Sequence, residues 1–305
     1  MSNAPYGFDL HPAALIVVLF GVVAVVVAHA RLARTARVPI PWTRRERWFF
    51  AGACVIGLVA TAWPLADLAA HWSLTALVVQ RLVLALAVAP LLLLGLPYDV
   101  IQWLTRPRVV DAVLTRVERP PVAIATVTLV LVGSMVPASV AAAASSLPIR
   151  ALLDLATVAA GLVLWIPVIG RVPGIRRPKP VIRFGYLVGQ AIVPAFLSVV
   201  YIFSAHALYP TFSHSKEAVG LRPLVDQQIA GFVSKLSMIF VLLGVGAVVL
   251  ARAPRSEDDS DVDEPLVWAD VERELERAAR REARHGSGLH EPLGPAQGSD
   301  SEPPH

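Results

Sequence analysis

Charge is what this chain has least of. Asp, Glu, Lys and Arg make up 16% of its 305 residues, against about 25% in soluble domains. With 55% hydrophobic residues and a mean hydropathy of +0.61, that deficit excludes an ordinary soluble globule and points to a polytopic membrane protein. Cysteine is nearly absent. The single Cys54 lies in an apolar run, so there is no disulfide framework and no cysteine-based metal site; it reads as a small buried hydrophobe. Beyond Met1, the only methionines are Met135 and Met238, and both read as core filler. No Ser-His-Asp set, phosphate-cradling glycine loop or paired carboxylate is present, so catalysis is not expected. The first eleven residues hold no Lys or Arg, unlike the basic start of a secretory leader.

What is present is a series of long apolar runs. Spans are expected over residues 12–30, 48–63, 74–96, 121–144, 151–170, 184–204 and 227–250, which gives an all-α, polytopic membrane bundle of seven transmembrane helices. Pro12 suits a first helical turn, where its missing N–H costs nothing. The run 74–96 has 23 residues, enough to cross a bilayer with some tilt, and a surface helix is expected around 100–117. Lys plus Arg in the first segment and the successive loops number 0, 6, 0, 4, 1, 5 and 2. That alternation orients the bundle with its N-terminus outside and its C-terminus in the cytoplasm. It also accounts for the net charge of +4 by topology, so no nucleic-acid partner is expected. Arginine far outnumbers lysine, and Ala and Val are abundant, as in GC-rich bacterial genomes.

The chain divides into a membrane domain, 1–252, and a cytoplasmic tail, 253–305. The tail opens with the acidic run SEDDSDVDE, which should be solvated and disordered. Over about 264–285, Val267, Val271, Leu275 and Ala279 recur every four residues. That is a short amphipathic helix with an acid-rich start and an arginine-rich end, either lying on the membrane surface or docking a partner.

Three ionisable residues sit inside spans: Arg81, Asp154 and Lys235. Such residues are functional candidates, because an ionised Arg at mid-span costs about 2.5 kcal/mol or more. All three lie roughly 5 to 13 Å below the outer surface at 1.5 Å per residue. With Gln80, Asp226 and Gln227 nearby in depth, they are expected to form an ion-pair cluster in which Arg81 and Asp154 approach within about 4 Å.

Several motifs carry a family resemblance. Gln80 is followed by Ala89, Pro90, Leu91, Leu92, Gly95 and Pro97; then come GLVLWIP at Gly161–Pro167, Tyr209-Pro210, and Asp226-Gln227-Gln228 with Ala230 and Gly231. Over residues 10–252 this pattern resembles the CtaG-like multi-span cytochrome c oxidase assembly factors of bacterial plasma membranes. The resemblance implies a multi-pass plasma-membrane protein with oxidase subunits and the lipid bilayer as partners and copper as a possible cofactor. It also shows departures. The two histidines of the family's first motif fall at Leu77 and Arg81, a later one falls at or beside Asp154, and Lys235 stands where a tryptophan is expected. The family's Trp-His-x-Pro region holds Ser134, Met135 and Pro137. A protonated Arg or Lys has no lone pair to give a metal, so the expected role of the cluster is structural or electrostatic.

A second metal reading is open. His11, His71, His206 and His214 all fall on the outer side and could converge there with Asp67 or Asp226. Neutral imidazoles suit copper(II) or zinc, although the spacing is not a metal motif. Two other functions compete: a transporter or channel, for which Pro194 could break span 6 but no inverted repeat is visible, and a ligand-free scaffold recruiting partners or anionic lipid.

Overall fold

The most hydrophobic candidate span becomes the central helix. In the computed structural model, which describes residues 12–35, 41–62, 64–117, 119–175, 177–192 and 195–253, it runs Leu74–Gly95 (α4) and is the most buried of the five candidate spans without a sharp bend. Ser73 caps its start by accepting from the Ala76 amide. Its middle turn, Leu84–Val88, widens to π geometry. The cause is local: Pro90 has no N–H, so carbonyls one turn back lose a donor. The Ala89 amide reaches back to Leu84 O, and Ala85 O is left free for another helix.

In chain order the other helices are α1 (Pro12–Thr35), α2 (Arg44–Thr61), α3 (Leu65–Trp72), α5 (Tyr98–Thr105), α6 (Arg108–Val117), α7 (Pro120–Ser134), α8 (Pro137–Ser145), α9 (Leu147–Ile169), α10 (Pro180–Ile192), α11 (Ala195–Phe203), α12 (Ser215–Val219) and α13 (Pro223–Ala251). No strand occurs among the described residues. The fold is an all-α membrane bundle with five helices long and apolar enough to span. The number reaches seven if two bent pairs each count as one span: α2 with α3, bent by 51°, and α6 with α7, bent by 104°.

The expected spans differ from this in three places. The span expected at 121–144 is two helices, broken at Met135–Val136 just before Pro137. The residue preceding a proline avoids the α region, and Val136 is extended (ψ 139°). The expected surface helix at 100–117 is also two helices, α5 and α6, parted at Arg106–Pro107; Arg106 itself keeps a helical backbone conformation, and Pro107 has no N–H with which to continue the ladder. Arg150, expected in a turn, lies in the first turn of α9. The tail's expected acidic linker and 264–285 helix lie outside the described residues, as does His11.

Around α4 pack α2, α9 and α13; α13 also carries α10 and α11, α7 leans on α9, and α1 rests mainly on α2 and α5. Between helices in lipid, close packing and hydrogen bonds replace the hydrophobic drive, and two glycines show where this matters. A Cβ at Gly161 of α9 would stand 2.7 Å from Ala85 O, and one at Gly95 would stand 2.3 Å from the Phe50 amide. Trp165, one turn beyond Gly161, donates its indole N–H to Ala85 O at 3.0 Å. The carbonyl released by the π-turn is thus satisfied by the helix that the glycine admits.

Each end of the bundle has its own ties. At the arginine-rich end, Trp42 donates to Gly95 O at 3.0 Å, and Arg171 bonds both Leu94 O and Glu46. Glu46 also closes a capping box with Thr43 at the start of α2. At the opposite, arginine-poor end, the 205–222 segment folds over the helix ends and is anchored by Tyr209 and Phe212, both buried.

Candidate functional site

Arg81 is 5% exposed and Asp154 16%. The guanidinium Nη1 donates to Asp154 Oδ1 at 2.7 Å and to Thr157 Oγ1 at 3.1 Å. Thr157 spends its own hydrogen on Leu153 O at 2.8 Å, so its oxygen faces Arg81 as an acceptor. Helical spacing makes the arrangement: Asp154, Thr157, Gly161 and Trp165 fall three or four residues apart on the face of α9 that meets α4. The acid, the hydroxyl, the close approach and the indole therefore form one stripe. A charge pair with a supporting hydroxyl is the form in which a bilayer interior tolerates an arginine.

Arg81 lines two small cavities. One, of about 10 Å³, is lined by Gln80, Arg81, Ser134, Arg150 and several alanines, room for about one water. Gln80 Nε2 and Arg81 Nε are buried and have no hydrogen-bond partner among the described residues. The other cavity, of about 50 Å³, is lined by Arg81, Met135, Tyr201, Ser234 and Met238.

The other expected members of the cluster lie elsewhere. Lys235 is half-buried on the flank of α13 and has no ion pair among the described residues. Its depth matches Arg81, but the face α13 turns inward carries Ala230, Gly231, Met238 and Leu242, so the three-charge cluster is corrected to one pair. Asp226 is 1% exposed and serves as a helix cap supplied by another helix. It accepts from Ser73 Oγ at 2.8 Å and from the Leu74 amide at 2.7 Å, at the start of α4. A carboxylate there meets the positive end of the helix dipole. Gln227 accepts from the Leu208 amide at 2.8 Å and lies 3.4 Å from Tyr201 O, and Gln228 lies 3.4 Å from Ile202 O. The Asp-Gln-Gln box is thereby engaged in tying α13 to α4, to the end of α11 and to the 205–222 segment.

Among the described residues the outer histidines do not assemble. His71 Nε2 is 3.4 Å from Arg150 Nη2, and since guanidinium only donates, that ring nitrogen must accept. His214 is exposed and pairs with Glu217 at 3.2 Å, and His206 is exposed on the same segment. Among the described residues no three His, Cys, Asp or Glu side chains could share a metal ion. The two methionines do face one cavity, but Arg81 lines it as well, and a cation beside a cation site is unfavourable. The described donor set does not fit a copper centre.

Four features escaped sequence reasoning. Arg150 acts electrostatically on Asp154 and Asp67, and its Nε donates to Ala143 O at 3.3 Å. A lone arginine in a short loop looked like topology alone. Thr157 and Trp165 lie i+3 and i+11 from Asp154, but neither residue type signals its partner in the sequence. His29 Nδ1 meets Asp99 Oδ2 at 2.8 Å, and its ring packs edge-on to Trp42 at 5.6 Å; no local pattern signals that contact. Finally, Tyr209 donates to Met135 O, so Tyr201 must be the donor in the 2.5 Å Tyr201–Tyr209 hydroxyl contact. This chain joins the 205–222 segment to the break between α7 and α8.

A family model described as cytochrome c oxidase caa3 assembly factor (Caa3_CtaG) matches residues 22–256. No curated protein and no solved structure matches the chain.

Proposed function

Because the chain belongs to the cytochrome c oxidase caa3 assembly-factor family, we propose that it assists oxidase assembly from a bacterial plasma membrane by protein contacts, without handling copper in its bundle. The observation that carries this reading is the Arg81–Asp154–Thr157 arrangement. The place where the family resemblance would put metal-binding histidines holds a guanidinium neutralised by a carboxylate at 2.7 Å. Such a pair fixes α4 against α9 and offers no lone pair to a metal. A non-catalytic role follows from the same donor set, which provides no nucleophile with an adjacent base among the residues of the site.

In this reading the arginine-poor end faces outward, as the loop charges require, and presents the 205–222 segment to a nascent oxidase subunit. Asp226, Gln227 and Tyr209 hold that surface in shape and do not themselves contact the client.

The test is metal content of detergent-purified protein after copper(I) loading, run beside oxidase activity in a deletion strain complemented with the same gene. Well under one copper per chain, with oxidase activity restored, is the expected result. Stoichiometric copper that disappears in the His71/His206/His214 triple alanine variant would overturn the metal-free reading. Failure of the intact gene to restore the oxidase would overturn the assembly role in this bacterium.

A further inference from the structure

A larger cavity adjoins the smaller of the two that Arg81 lines, sharing Ala66 and Arg150 with it and reaching Asp154 of the ion pair. It is a groove of about 450 Å³ between α1 on one side and α2, α4 and α9 on the other, open along its flank. Its floor is small and apolar: Ala53, Cys54, Gly57, Val88, Ala151 and Val158 line it. α1 forms its outer wall, yet none of that helix's candidate span is buried. It is tied near its arginine-rich end by the His29–Asp99 contact. The groove is not apolar throughout. At the arginine-poor end it is bounded by Arg150, with Asp154 beside it.

Lining and charge select the occupant. The groove is lined along its length by apolar side chains and is open along its flank, which suits an acyl chain entering from the bilayer. Arg150 adds the polar anchor. It uses one N–H on Ala143 O and one toward His71, which leaves three of its five donors without a partner among the described residues. Guanidinium forks match phosphate oxygens in two parallel bonds, and a phosphate at that end places its acyl chain along the groove. An apolar site with a few convergent polar groups, here Arg150 with Asp154 beside it, is the usual form of a small-ligand pocket.

We propose that this groove is a specific site for one membrane phospholipid, its phosphate on Arg150 and one acyl chain lying between α1 and the bundle. The lipid completes the packing of α1, which touches the other helices mainly through α2 and α5. The proposal does not depend on the oxidase role.

The experiment is native mass spectrometry of the full chain, delipidated in detergent and titrated with phosphatidylglycerol or phosphatidylcholine. One phosphatidylglycerol per chain is expected to persist at collision energies that strip the rest. Ala151→Trp and Gly57→Leu, which fill the floor, should abolish that retained lipid, whereas Val59→Trp on an exposed face (62%) should leave it. Arg150→Gln should weaken retention roughly tenfold and remove the preference for the anionic head. Cys54, the sole thiol, gives an independent reading in folded protein: lipid should slow its reaction with a membrane-soluble maleimide several-fold, and not in Ala151→Trp. Equal lipid retention by wild type and both filling variants, or a Cys54 rate blind to lipid, would overturn the proposal. So would photo-crosslinks from the groove to an oxidase subunit in place of lipid, since they would make it a client site.

Discussion

Removing one partner of the buried ion pair should hurt far more than removing both. Asp154→Leu leaves Arg81, 5% exposed, with Thr157 as its only described partner in the bilayer interior. Breaking a buried pair in this way costs about 3–5 kcal/mol. For a domain of this size that is a fall in melting temperature of roughly 10 °C. Arg81→Met should cost less, since Asp154 is more exposed (16%) and can take up a proton. The double variant Arg81→Met/Asp154→Leu replaces both charges with apolar side chains of similar volume and should return to within about 1 kcal/mol of wild type. The cycle then gives a coupling energy of about 3 kcal/mol or more. The assay is thermal unfolding in detergent followed by intrinsic tryptophan fluorescence, with oxidase assembly scored in cells carrying each variant. Strictly additive losses would refute the pair as the reason Arg81 is tolerated. A stable double variant that cannot support assembly would show that the charges act on a client or ion and not only on the fold.

Other outcomes follow from single contacts. Trp165→Phe keeps the ring but strips the donor from Ala85 O, and should cost about 1–3 kcal/mol in the same melt. Gly161→Ala would push a methyl within 2.7 Å of backbone, so α9 must back away from α4; loss of folded protein in detergent-solubilised yield is expected, while Gly244→Ala, with open space around it, should be neutral. Asp226→Ala removes two buried acceptor bonds at the start of α4 and should lower stability by about 2–3 kcal/mol, without changing metal content measured by atomic absorption. Tyr209→Phe breaks the hydroxyl relay to Met135 O and should speed proteolysis of the 205–222 segment, read by fragment mapping.

The linear chain was sufficient for everything that depends on depth and composition. Long apolar runs with few charges require a membrane, because only there is such a surface soluble, and they require helices, because backbone groups in hydrocarbon must bond within their own segment. An arginine a third of the way into the run 74–96 demands a partner, and Asp154 on another run at similar depth was a legible choice. The angle about each helix axis was not legible. Lys235 shares the depth of Arg81, but packing turns that flank of α13 elsewhere, so the expected triad is a pair. Asp226 looked like a fourth charge in the membrane and is a cap for α4, a role that needs two segments about 150 residues apart to meet. The histidines look convergent in sequence because they share an end of the bundle, yet His71, His206 and His214 are each held or exposed separately. The family motif around Pro90 was visible as letters. Its meaning, a π-turn whose freed carbonyl takes the Trp165 indole across a glycine contact, exists only when α4 and α9 touch. Hydropathy measures position along the membrane normal, whereas the small residues that let helices approach, and the polar groups that approach leaves facing each other, determine which side chains become neighbours.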